Sequence, residues 1–165
     1  MKKKSQIWGV DLIVAVILFS IGIIGFFVYV LNYPGEAEEN LSNLFYDGNI
    51  IASGILSEGY PLNWNLENVV KPGILTGNKI NDTKLELFFN LSMANYTRTK
   101  SLFNTKYDFF FFLPENFVLS LGEVRGIGKP GTDPQSINSK NLVKITRFTI
   151  YKHKPVTAYI YIWEE

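Results

Sequence analysis

Residues 1–36 read MKKKSQIWGVDLIVAVILFSIGIIGFFVYVLNYPGE, and the choice of architecture turns on them. Leu12 to Leu31, LIVAVILFSIGIIGFFVYVL, is a run of 20 residues without a charge. At about 1.5 Å per residue such a run spans roughly 30 Å as a helix, the thickness of a bilayer core. Lys2, Lys3 and Lys4 precede it, and Glu36, Glu38 and Glu39 follow it. The excess of lysine in front predicts a cytoplasmic N-terminus and an external remainder. Asp11 stands at the mouth of the run, where a carboxylate is unfavourable unless a cation or water meets it.

Outward from this run, composition narrows the function. The chain has 165 residues and a net charge of +1. Apart from Lys2, Lys3, Lys4 and Asp11 it carries 13 basic and 14 acidic side chains. That balance argues against nucleic acid, which requires a basic patch. There is no cysteine, so disulfides, zinc thiolates and thiol nucleophiles are excluded. An external domain must then be held by its core, and the Phe-, Tyr- and Ile-rich remainder can supply one.

Three readings of the first segment stand side by side. A secretory signal peptide would have an apolar region of about 7–15 residues and a small-x-small cleavage site. Gly35-Glu36-Ala37 fits such a site, but the apolar run is too long. A plain membrane anchor accounts for the run and leaves Asp11 without a role, as a residue that reaches the interface and is hydrated there. The third reading gives Asp11 a role. Lys2-Lys3-Lys4, then Ser5, Gln6 and an uninterrupted apolar helix from Ile7 with Asp11 near its start, resembles the class III signal of archaeal type IV pilins. Ser5 stands where that family usually carries Gly or Ala. Asp11 falls sixth after the cut instead of fifth, a shift of about 100° around a helix.

The resemblance implies cleavage between Ser5 and Gln6 by a prepilin peptidase, leaving the helix on the mature protein. It implies that the acidic residue neutralises the N-terminal amine of a neighbouring subunit. The partners implied are copies of this chain or other pilins, the peptidase and membrane lipid. Ser20, Gly22 and Gly25 are small residues that would let helices approach closely, and ordinary membrane-span composition accounts for them equally well. The division that follows is a basic leader over 1–5, a transmembrane and assembly helix over 6–34, and a head over 35–165.

In the head, Leu41, Leu44, Phe45, Ile51, Ile55 and Leu56 share a stripe at helical spacing and predict a helix over about 36–56, although Gly48 and Gly54 weaken it. Tyr60 and Trp64 in GYPLNW are expected against the core. VVKPGILTG reads as an edge strand interrupted by Pro72-Gly73. Thr83 and Glu86 form a T-x-x-E capping box that predicts a helix from about Lys84, broken between Asn90 and Asn95. YDFFFFLP reads as a central strand covered by helices on one side, joined through a hairpin at Pro114-Glu115 to NFVLSLGE. Residues 126–141, GIGKPGTDPQSINSKN, read as a projecting polar loop. LVKITRFTIYK and PVTAYIYIWEE read as two strands joined near His153. The expected class is α+β, a long N-terminal helix and a head with one or two further helices and a mainly antiparallel sheet of about four to five strands.

Signatures of catalysis are lacking. His153 is the sole histidine and has no evident nucleophile beside it. GIGKPG lacks P-loop spacing, and metal-ligand spacing and cofactor motifs do not occur. Four N-x-S/T triplets begin at Asn40, Asn81, Asn90 and Asn95 and are candidates for N-glycosylation on an external head, with plain solvation, or a turn at Asn81, as the alternative. The function expected is a structural subunit, major or minor, of a pilus-like surface filament, with adhesion carried by the head. The alternative is a single-pass surface binding or accessory protein that does not polymerise. No enzymatic role and no cofactor are expected.

Overall fold

The longest regular alternation in the chain, over residues 142–163, forms the longest pair of strands. In the computed structural model, which describes residues 4–32, 36–120 and 122–164, with side chains from Gly9 in the first helix and Glu39 in the second, four helices accompany eight strands. The helices are α1 (Lys4–Asn32), α2 (Glu36–Ile55), α3 (Asp82–Ala94) and α4 (Tyr96–Leu102). The strands are β1 (Leu75–Thr76), β2 (Lys79–Ile80), β3 (Asp108–Phe112), β4 (Phe117–Leu119), β5 (Gly122–Val124), β6 (Ile127–Gly128), β7 (Leu142–Tyr151) and β8 (Lys154–Trp163). The chain divides into two units, residues 1–40 and 41–165. Lys2, Lys3 and the Pro34-Gly35 exit lie outside the described residues.

In the first unit, Gly9–Asn32 of α1 is long and apolar enough to cross a membrane, and each of its residues is exposed. In the second, β7 and β8 pair antiparallel over ten positions. The two-residue connection Lys152-His153 has φ of 49° and 66°, the left-handed backbone of the turn that matches strand twist in a tight hairpin. The sheet order is β1-β2-β7-β8-β3-β6. It has six strands, more than expected, and it is mixed: β2 runs parallel to β7 through Lys79 and Ile150. Three helices beyond α1, not one or two, complete the described residues.

One face of the sheet is the core. Val143, Ile145, Ala158, Ile160 and Ile162 lie on it, and Phe109 and Phe111 of β3 join them, fully buried. α2 covers this face through Leu44, Ile51, Ala52 and Ile55, while Leu41 and Phe45 of the expected stripe are exposed. Gly48 and Gly54 are contact points, not weak spots in the helix. A Cβ on Gly48 would lie 3.1 Å from Ile162, and one on Gly54 2.8 Å from the Phe103 ring. α3 adds Leu85, Phe88 and Leu91, and Phe88 and Phe103 pack edge to face.

Several local expectations change. α3 begins at Asp82, two residues early, because Asn81 and not Thr83 is its cap: Asn81 Oδ1 accepts from Lys84 N at 3.1 Å. Glu86 is engaged elsewhere, accepting from Ser120 Oγ at 2.9 Å. Asn95 caps α4, so the break between Asn90 and Asn95 is real. Trp64 is buried, its Nε1 donating to Gly73 O at 2.9 Å, whereas Tyr60 is exposed. β3 is interior, but its partners are β8 and β6. β4 pairs with β5 in a separate ribbon, so residues 117–124 do not form a hairpin with β3. The polar loop does not simply project, since its first residues are β6 and Ile127 is buried.

Candidate functional site

The sequence singled out Ser5, Gln6, Asp11, Ser20, Gly22 and Gly25 in the first unit. Ser5 and Gln6 lie within the backbone span of α1. Asp11, Gly22 and Gly25 fall together. Asp11, Ala15, Leu18, Gly22, Gly25 and Tyr29 recur at alternating steps of four and three. At about 100° per residue they lie within about 40° either side of one line on the helix. The helix's one described carboxylate thus shares a seam with three of its small residues, in the 3-4 spacing that left-handed helix pairs use. A Cβ on Gly22 or Gly25 would meet nothing within 4 Å, so both positions are open to an approaching backbone. Ser20 lies on the opposite face, with its hydroxyl donating to Val16 O at 2.8 Å. The seam was legible in the sequence as a 4-3-4-3-4 recurrence, which a search for small residues alone misses.

The four sequons differ in what they expose. Asn95 and Thr97 are both exposed. Asn40 is half-buried beside an exposed Ser42. Asn81 is half-buried, and its amide nitrogen donates to Thr76 Oγ1 at 3.2 Å. The Asn90 sequon is closed by the fold: Ser92 is 1% exposed and its hydroxyl donates to Gly128 O at 2.7 Å.

The described ionisable groups give no catalytic cluster. His153 is exposed at the tip of the β7–β8 turn between two exposed lysines. Among the described residues, no group of three or more His, Asp or Glu side chains could hold a metal. The most buried charge is Asp108, whose two oxygens accept from Lys100 Nζ and Lys129 Nζ, each at 2.8 Å. Burial pushes its carboxyl up, but the hydrogen bonds and charges of the two lysines outweigh it and hold the group below its ordinary value. This triad joins α4, β3 and the start of the 126–141 segment, and sequence reasoning missed it because its members are 8 and 21 residues apart with no periodicity.

Compared with protein-family models, with curated proteins and with solved structures, the chain matches none. An N-terminal apolar helix followed by an α+β head with a mixed sheet is what the molecule displays.

Proposed function

We propose that the chain is a membrane-anchored surface subunit that assembles through its N-terminal helix into a filament of the archaeal type IV pilus kind. The observation that carries the reading is the α1 seam: an apolar helix, exposed over Gly9–Asn32, whose described carboxylate, Asp11, is aligned with Gly22 and Gly25. Lipid solvates an aliphatic surface as well as another helix does, so a seam of small and polar residues gains most from a second helix. In this reading a peptidase cuts between Ser5 and Gln6, and the new amine at Gln6 meets a neighbour's Asp11. The head lies outside the cell, where the exposed Asn95 sequon is available to a glycan, and adhesion falls to its surface.

The test is direct. Filaments sheared from the cell surface should contain this chain, and its N-terminal residue should be Gln6. An intact Met1 or Lys2 terminus on the membrane-bound protein, with no filaments, would leave a plain anchor. A start near Glu38 would make α1 a signal peptide and end the pilin reading.

A second reading is a single-pass surface binding protein that does not polymerise. One feature favours it, the uncovered aromatic groove on the face of the head's sheet opposite the core.

A further inference from the structure

The strand registers place Phe110, Phe112, Tyr159, Tyr161 and Trp163 together on the face of the sheet opposite the core. This is an unusual density of rings for a sheet face opposite the core. α3 and residues 125–138 account for part of it: Phe110 shares a hollow with Phe89 and Met93 of α3 and residues 125–132, Trp163 lines one with residues 129–138, and the two rings are only 4% and 5% exposed. The cover stops at Pro134 and Gln135. Beyond it Phe112, Tyr159 and Tyr161 remain half-exposed and floor a groove of about 420 Å³. The rings do not lie flat. Phe112 is tilted 38° to Tyr159 at 5.3 Å and stands 81° to Tyr161 at 5.1 Å, so together they make a concave wall.

The rim is polar, and its one cation outside an ion pair, among the described residues, stands on the aromatic wall. Lys144 Nζ sits 4.0 Å from the Tyr159 ring centroid. Among the described residues no carboxylate comes within 4.0 Å of it. Arg125 and Asp133 face each other at 3.6 Å, with side chains 70% and 43% exposed, a contact loose enough to open. Gln135 adds an amide to the rim, and Asn116 lines it with its Nδ2 donating to Glu123 Oε1 at 2.7 Å, so one carboxylate stands beside the rim.

We propose that this groove binds an acidic saccharide, a sugar chain containing uronic-acid units. A pyranose has a flat C–H face that stacks on aromatic rings and an edge of hydroxyls that reach a polar rim. The groove offers both kinds of surface within one sugar unit's reach. The carboxylate of a uronic acid answers Lys144, the cation on the aromatic wall. A peptide is disfavoured because the groove lies on a sheet face, where an extended backbone finds no strand edge to pair with. Nucleic acid is disfavoured because a single lysine is far short of a basic patch. The inference concerns the head alone and holds whether or not the chain polymerises.

The experiment is calorimetric titration of the full chain in lipid nanodiscs with three probes: a tetrasaccharide of alternating glucuronate and N-acetylglucosamine, the neutral N-acetylglucosamine tetramer, and a short polyglutamate peptide. The acidic tetrasaccharide should bind more tightly than the neutral one, and the peptide should not bind. Lys144→Gln, a change at an exposed side chain, should weaken the acidic probe about fivefold, the worth of one exposed charge contact, and leave the neutral one unchanged. Tyr161→Ala should weaken both sugars about tenfold through the lost stacking. If Tyr161→Ala fails to fold, the Lys144→Gln comparison decides alone. Equal affinity for the two sugars overturns the acidic assignment. Binding of polyglutamate as tight as that of the sugar, or no binding of either sugar, overturns the saccharide assignment.

Discussion

Lys129 Nζ donates to Asp108 Oδ2 at 2.8 Å across 21 residues of sequence, and so fastens the start of the 126–141 segment to β3. Lys100 holds the other oxygen. The carboxylate is 8% exposed and each lysine about a quarter exposed, so the triad is shielded enough to matter for stability.

A carboxylate held below its ordinary 3.8 stabilises the fold above that pH and loses its contribution as the pH falls through the folded value. The head should therefore lose stability as it is acidified below about pH 4. Asp108→Asn should cost about 2 kcal/mol at pH 7, the worth of charge-assisted hydrogen bonds, and less at pH 3, below the unfolded value. Urea melts at the two pH values measure both. An equal loss at pH 7 and pH 3 would show that the charge of Asp108 contributes nothing.

Gly54→Ala tests why α2 carries glycine in its interior. Alanine is worth up to about 1 kcal/mol more than glycine in a helix. The added Cβ would stand 2.8 Å from the Phe103 ring, which is itself wedged edge-on against Phe88 and Phe109. Overpacking of that kind costs about 1–3 kcal/mol, so the net effect should be destabilising by about 1 kcal/mol. A variant more stable than the parent by denaturant melt would show that Phe103 yields freely.

Asp11→Ala bears on assembly. An unpaired amine or carboxylate among apolar helices costs several kcal/mol, so removing Asp11 strands the neighbour's amine at Gln6. Membrane insertion should be unchanged by immunoblotting of the membrane fraction, and electron microscopy should show few or no surface filaments. Normal filaments from this variant would make Asp11 an interfacial accident. Loss of the protein from the membrane would assign Asp11 to insertion instead.

Protease added to whole cells should remove the head, given the lysine excess before α1. Protection in intact cells, with digestion only after lysis, would reverse the orientation and withdraw the sequons from any glycosylating enzyme outside.

Glycopeptide mass spectrometry should find sugar at Asn95 ahead of Asn90. Asn95 offers an exposed amide and an exposed Thr97 hydroxyl, while the Asn90 sequon has its Ser92 hydroxyl buried against Gly128 O. Occupancy at Asn90 would mean that the sugar is added before the head folds.

Local patterns in the chain determined the apolar helix over 9–32, α2, the α3–α4 break at Asn95 and the β7–β8 hairpin turning at His153. Each rests on a period, a run or a cap confined to a few neighbouring residues, which is the range over which backbone sterics and side-chain spacing act. The alignment of Asp11 with Gly22 and Gly25 was written there too, since a helix converts spacing directly into direction. Tertiary structure decided the rest. That β3 pairs with β8 and β6, and that Lys79 brings a parallel strand to β7, are choices among strands whose sequences suit several partners. They are settled by which arrangement buries Phe109, Phe111, Ile145 and Ile160 under α2 and α3. The same packing turned Gly48 and Gly54 from helix breakers into contacts, buried Asp108 between two lysines, and left Phe112, Tyr159 and Tyr161 uncovered on the far face. Residues on different elements meet only once the head has folded, and no short stretch of sequence records their meeting.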